Sequence, residues 1–127
     1  VSSFAQDEAS GVRFNVAVAL RSTQSSEAEQ TLLDLSADSD SHVQRKALEV
    51  MRDYQLTPRH IDELRRQVFD GETDPLALQA LASAMGKQMR MGDERVARAA
   101  REFLAELADS RLANRELRTR IEYLLRG

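Results

Sequence analysis

The chain has 127 residues, of which 42% are hydrophobic and 31% charged, and its formal net charge is -3. This composition is typical of one soluble globular domain and excludes a disordered chain. The absence of cysteine excludes disulfides and thiolate chemistry. Aromatic residues make up only 5% of the chain, which argues against stacking surfaces for single-stranded nucleic acid.

Hydropathy bears on membrane insertion, whereas the lack of cysteine does not by itself distinguish the cytoplasm from the periplasm. The longest apolar run, residues 16–20, is far shorter than the roughly 20 residues that a membrane-spanning helix requires. We therefore predict a soluble protein with no membrane span in this segment, in the cytoplasm in preference to the periplasm. The chain begins with Val1, and its helical pattern starts almost at once, so we expect it to be a piece of a longer protein or a processed chain.

One apolar spacing, 0, +4, +7 and +8, recurs along the chain and predicts helices with one buried face. In chain order it occurs at Val12, Val16, Ala19 and Leu20; Val43, Ala47, Val50 and Met51; Leu76, Ala80, Ser83 and Ala84; Val96, Ala100, Phe103 and Leu104; and Leu117, Ile121, Leu124 and Leu125. Two further helices are predicted from Ala28, Leu32 and Leu35, and from Ile61, Leu64 and Val68.

Polar residues mark the predicted helix boundaries. Ser26 with Glu29 and Ser41 with Gln44 have the spacing of a capping box. The remaining predicted N-terminal caps are Thr57, Asp74, Asp93 and Asn114. We predict helix ends at Gly71 and Gly86, with residues 86–92 as a frayed helix end or a flexible loop.

These elements predict an all-α domain of about three antiparallel helix pairs and a final helix. The approximate repeats are 9–38, 39–72, 73–109 and a half repeat, 111–127, within one domain spanning 1–127. Stacking would bury the apolar face of each pair against its neighbours. The last helix is apolar enough that we expect it to be covered, either by a continuation of the parent protein or by self-association with a second copy.

Parts of the pattern resemble HEAT repeats. Val12-Arg13, followed by Val16, Ala17, Ala19 and Leu20, is similar to the first helix of such a repeat, and residues 38–48 give the closest match. The resemblance implies a right-handed alpha-alpha superhelix whose second helices line a concave face. It also implies a role in protein–protein contact.

No residue pattern points to catalysis or to a bound cofactor. Neither His42 nor His60 has a partner at metal-ligand spacing, so we predict no metal. Pairs of carboxylates occur in first helical turns, where the helix dipole favours acids without any catalytic role. They are Asp7-Glu8, Asp38/Asp40, Asp62-Glu63 and Asp93-Glu94. The scattered glycines form no phosphate-binding loop.

The candidate partner-binding surface lies on the predicted fourth and sixth helices. It consists of Arg65, Arg66, Arg95, Arg98, Arg101 and Glu102. One interpretation is contact with an anionic partner. The other is a solvated face whose arginines pair locally with Glu94, Glu102 and Glu106.

The leading hypothesis for function is a non-catalytic protein-binding scaffold. A regulatory or sensor domain of a larger anti-sigma-type or membrane-linked protein is an alternative. HEAT-like nucleic-acid binding and a chromophore-lyase-type activity are further alternatives. Nucleic acid is the less favoured partner, because the net charge is negative and acids are interspersed among the arginines.

Overall fold

The computed structural model of the protein describes residues 2–23, 25–71 and 73–126, with side chains from residue 11 onward. Within these ranges the chain forms seven α-helices and one 3-10 helix, with no strand. They are α1 (Ser2–Ala19), the 3-10 helix (Leu20–Ser22), α2 (Ser26–Leu35), α3 (Ser41–Met51), α4 (Pro58–Asp70), α5 (Pro75–Met91), α6 (Glu94–Ala108) and α7 (Arg115–Arg126). The prediction of an all-α chain is confirmed.

Most of these helices have an N-terminal side-chain cap at the polar residue that the sequence predicts. The Thr57 hydroxyl accepts a hydrogen bond from the His60 N–H at 3.3 Å, and His60 Nδ1 accepts one from the Thr57 N–H at 3.1 Å. Asp74, Asp93 and Asn114 also accept bonds from the first turn of their helices.

Two predicted caps are displaced by one residue. Ser25, not Ser26, caps α2, and Asp40, not Ser41, caps α3. The cap needs an extended backbone, which Ser25 and Asp40 have, whereas the serine that follows each is already helical.

The helices are arranged as two rows of neighbours. One row contains α1, α3, α5 and α7, in which each helix contacts the next. The other row contains α2, α4 and α6. Contacts of α2 with α1 and α3, and of α6 with α5 and α7, join the rows. The core lies between them and includes the fully buried Phe103, Leu32 and Ile61.

The predicted buried faces are correct in α2, α3, α4 and α6, where every residue of the apolar pattern is buried. They are wrong in α1 and α5. Among residues 11–19 of α1, whose side chains the structure describes, the buried residue is Ala17, whereas Val12 and Val16 are exposed. In α5, Leu76 is exposed while Leu81 and Met85 are fully buried.

Both errors occur in helices that have large apolar residues on more than one side, so that spacing alone does not identify the buried face. α1 stands at the end of its row, so its outward side has no neighbouring helix among the described residues. α5 has large apolar residues at Leu76 and also at Leu78, Leu81 and Met85, and it is the second set that is buried. A fixed apolar spacing identifies a possible buried face and does not say which face the neighbouring helices will cover.

The predicted helix end at Gly86 is also wrong, since α5 continues to Met91. A Cβ atom at Gly86 would lie 2.7 Å from Leu124 Cδ2, so glycine permits the close approach of α7. Gly71 does end α4, as predicted. In α7, Leu117 and Ile121 are buried within the chain, and Tyr123 is the large exposed hydrophobic residue of that helix. Self-association through α7 stays a prediction.

Candidate functional site

The predicted surface is centred on an ion pair that joins α4 to α6. Arg65 Nε donates to Glu106 Oε1 at 2.5 Å, and its Nη2 donates to Glu106 Oε2 at 2.8 Å. The hydrogen bonds from Arg65 lower the pKa of Glu106, and the same pairing raises the pKa of Arg65. Asp62 and Glu102 add smaller electrostatic contributions to Arg65. The structure therefore brings Arg65 and Glu102 into one charged cluster.

A groove follows this ion pair between α4 and α6. Its lining residues are Arg65, Arg66, Phe69, Asp70, Glu106, Asp109 and Ser110, and its volume is about 590 Å³. The Phe69 ring is half-buried and meets the buried Phe103 ring edge-on, at a centroid distance of 6.2 Å. Arg66 pairs with Glu63 on the same helix. The groove thus combines an aromatic side chain with charges of both signs.

The predicted arginines of α6 have separate surroundings. Arg95 is exposed, and Arg98 Nη2 lies 3.7 Å from a Glu94 carboxylate oxygen one turn away. Arg101 Nη1 donates to the Leu125 carbonyl oxygen at 3.3 Å, and this hydrogen bond connects α6 to the end of α7. Of the acids named in the second interpretation, Glu94 pairs locally with Arg98, and Glu106 pairs across the helices with Arg65. None of the recorded contacts joins Arg95, Arg98 or Arg101 to Arg65 or Arg66.

A second arginine cluster, which sequence reasoning missed, lies along the row α1, α3, α5 and α7. We call it the arginine pocket. It is a cavity of about 410 Å³ lined by Arg21, Arg45, Glu49, Arg52, Asp53, Gln79, Ala80, Ser83 and Arg120. Four guanidinium groups therefore line one cavity of a chain whose net charge is -3.

Each of the two carboxylates that line the arginine pocket forms an ion pair with a lysine. Glu49 lies 3.4 Å from Lys46 Nζ, and Asp53 accepts a hydrogen bond from Lys87 Nζ at 3.0 Å. These are the only two lysines in the sequence. Across the described residues, Arg21, Arg45 and Arg52 form no ion pair with any carboxylate.

Hydrogen bonds position the two arginines of the pocket that come from the 3-10 helix and from α7, Arg21 and Arg120. The buried Tyr54 hydroxyl donates to the carbonyl oxygens of Leu20 and Thr23, which flank Arg21. Burial is the main cause that raises the pKa of Tyr54, so this donor stays protonated. On the opposite side, Arg120 Nη1 donates to Ser83 Oγ at 3.3 Å. The 3-10 helix and α7 are thus held where their arginines line the pocket.

The sequence contains only part of the signal for this pocket. Arg45 and Glu49 are spaced so that they share one face of α3, and Arg52, directly after the helix, continues that spacing. Arg21 and Arg120 are far away in the sequence and join them only because the helices stack. Periodicity within one helix cannot report which residues of distant helices meet.

The histidines have structural contacts near helix starts. His60 Nδ1 completes the α4 capping box, and its Nε2 lies 3.5 Å from a Glu29 carboxylate oxygen on α2. His42 is exposed beside the cap residue Asp40. In the part of the chain that the structure describes, histidines and acids form no group arranged to hold a metal ion.

The chain matches no family model, no curated protein and no solved structure. The resemblance to HEAT repeats therefore rests on the sequence motifs alone. None of the helices in the described ranges has the length and apolar character needed to cross a membrane. The function has to be inferred from the two surfaces, the α4–α6 groove and the arginine pocket.

Proposed function

We propose that the protein is a non-catalytic scaffold that binds a protein partner on the face formed by α4 and α6. The observation that carries the proposal is the α4–α6 groove, where the half-buried Phe69 lies beside the Arg65–Glu106 ion pair. Aromatic and arginine side chains are the residues most often found at the energetic centre of protein interfaces. A partner side chain packed on Phe69 would be surrounded by polar contacts.

The proposal includes the arrangement that HEAT repeats imply, a right-handed superhelix with α2, α4 and α6 on the concave side. The two rows of neighbouring helices support it. The exposed Arg95, Arg98 and Arg101 would extend the binding surface along α6 with positive charge, and Glu102 would form part of its polar rim. An acidic segment of the partner would match the positive part of this face.

The proposal is tested by site-specific photo-crosslinking in cells. A photoreactive residue placed at Arg66 or Arg98 should crosslink the same partner, because both positions border the proposed face. The matched control position is Arg115, which is exposed at the start of α7. Equal crosslinking from Arg115, or different proteins captured from Arg66 and Arg98, would contradict a single face.

Charge reversal provides the second test. Arg98→Glu combined with Arg101→Glu should weaken capture of the crosslinked partner at least tenfold, as expected when charge-assisted contacts are replaced by repulsion. The control is Arg111→Glu combined with Arg115→Glu, which changes the net charge equally on another part of the surface. Circular dichroism of each variant checks folding, because Arg101 also contacts the end of α7. Unchanged partner affinity in the folded variant would remove this surface from consideration.

A further inference from the structure

We infer that the arginine pocket is a binding site for a small anion that carries several phosphate groups. This inference does not depend on the proposed partner face, which lies on the other row of helices. The pocket contains Arg21, Arg45, Arg52 and Arg120, supplied by the 3-10 helix, by α3 and the turn that follows it, and by α7.

The charge balance of the pocket favours an anion. Its two acids, Glu49 and Asp53, have Lys46 and Lys87 beside them. The lysines offset the acids and leave the four guanidinium charges of the pocket in excess. Like charges that share a cavity repel one another, and a bound anion removes that repulsion. The removal of this repulsion therefore favours the binding of an anion in the pocket.

The geometry of the donors favours phosphate over a single carboxylate. One carboxylate is satisfied by one arginine in a bidentate pair, as Glu106 is by Arg65. Four arginines offer many more donors, in fixed planar forks that suit phosphate oxygens. Gln79 and Ser83 add neutral polar groups from α5. The volume of about 410 Å³ suits a small ligand and is far too small to enclose a nucleic-acid duplex.

The test is titration calorimetry of the intact chain with inorganic tripolyphosphate as the probe. We expect saturable binding at one site, weakened by added salt as screening increases. Arg45→Gln combined with Arg52→Gln should reduce the affinity by roughly tenfold or more, the loss expected when hydrogen bonds to charged groups are removed. Arg111→Gln combined with Arg115→Gln removes the same charge elsewhere and should change the affinity by less than about twofold.

Three results would overturn the inference. The first is the absence of saturable tripolyphosphate binding, and the second is an equal loss in the two double variants, which would indicate general attraction to charge. The third is citrate binding as tightly as tripolyphosphate, which would show that the site does not prefer phosphate. A parallel arm uses duplex DNA, and tighter DNA binding that also depends on Arg45 and Arg52 would favour a nucleic-acid surface instead. Failure of the partner tests at Arg98 would leave all of these outcomes unchanged.

Discussion

At the scale of single residues, the partly buried Gln67 and the buried Gln88 each connect a helix to a segment that precedes it in the sequence. Gln67 Nε2 donates to the Leu33 carbonyl at 3.1 Å, and its Oε1 accepts from Ser36 Oγ at 2.9 Å. Gln88 Nε2 donates to the Tyr54 carbonyl at 2.7 Å, and its Oε1 accepts from the Leu56 N–H at 3.2 Å. Gln88 therefore satisfies a buried carbonyl and a buried N–H, whereas Gln67 adds to the bond that Ser36 Oγ already donates to the Leu33 carbonyl.

Gln88→Ala should lower the free energy of unfolding by about 1–3 kcal/mol, because it leaves a buried carbonyl and a buried N–H unpaired. Gln79→Ala on the same helix is the control, since Gln79 is only partly buried and should change stability by less than about 0.5 kcal/mol. Urea denaturation followed by circular dichroism measures both values. Equal stability of the two variants would mean that the Gln88 bridge contributes nothing.

The Arg65–Glu106 pair predicts a pH dependence of stability. Because Arg65 lowers the pKa of Glu106 in the folded protein, the pair stabilises the fold above the ordinary glutamate value of 4.5. The contribution is lost as the pH falls through the lowered pKa of Glu106, where the carboxylate becomes protonated. Arg65 remains charged throughout.

The measurement compares wild type with Glu106→Gln by urea denaturation from neutral to acidic pH. The variant should be less stable at neutral pH, and the difference should disappear in acid. Glu116→Gln is the control, because Glu116 is exposed and forms no ion pair with a described residue. A difference that persists at the lowest pH would show that Glu106 acts through packing and not through charge.

At the scale of elements, the buried face of a helix is predicted well by its sequence when its large apolar residues form a single stripe. α3, α4 and α6 each have an apolar stripe and a polar N-terminal cap, and the structure places both close to where the sequence indicates. The exceptions are α1 and α5, in which large apolar residues lie on more than one side of the helix. Only the packing of the neighbouring helices decides which of these sides is buried.

The corrected orientation of α1 is tested with two matched substitutions. Ala17→Leu should destabilise the protein by about 1–3 kcal/mol, because Ala17 is fully buried and a larger side chain overpacks its site. Ala19→Leu should change stability by less than about 0.5 kcal/mol, since Ala19 is exposed. Thermal or urea denaturation distinguishes them. The reverse order would restore the face that apolar spacing predicts, in which Ala19 is buried and Ala17 is not.

At the scale of the whole molecule, helix stacking brings together charged residues from two segments whose net charges have opposite signs. Residues 1–74 contain 14 acids and 8 bases, a net charge of -6, and residues 75–127 contain 7 acids and 10 bases, a net charge of +3. The arginine pocket draws Arg21, Arg45 and Arg52 from the acidic segment and Arg120 from the basic one. A local excess of positive charge thus forms where the average composition predicts none.

The two proposed surfaces can be tested independently, because they lie on different rows of helices. Charge changes at Arg98 and Arg101 address the α4–α6 face, and those at Arg45 and Arg52 address the arginine pocket. A variant that disrupted the stack itself would affect both readouts together.

The sequence by itself determined the all-helical class, the helix count and most helix starts, because apolar periodicity and side-chain caps act within a few residues of one another. It also located Arg65, Arg66 and the α6 arginines on the fourth and sixth helices. Only the tertiary structure decided that Arg65 pairs with Glu106, that α1 buries Ala17, and that four distant arginines line one cavity. These features depend on which helices become neighbours, and local pattern contains no information about contacts between residues as far apart as Arg21 and Arg120.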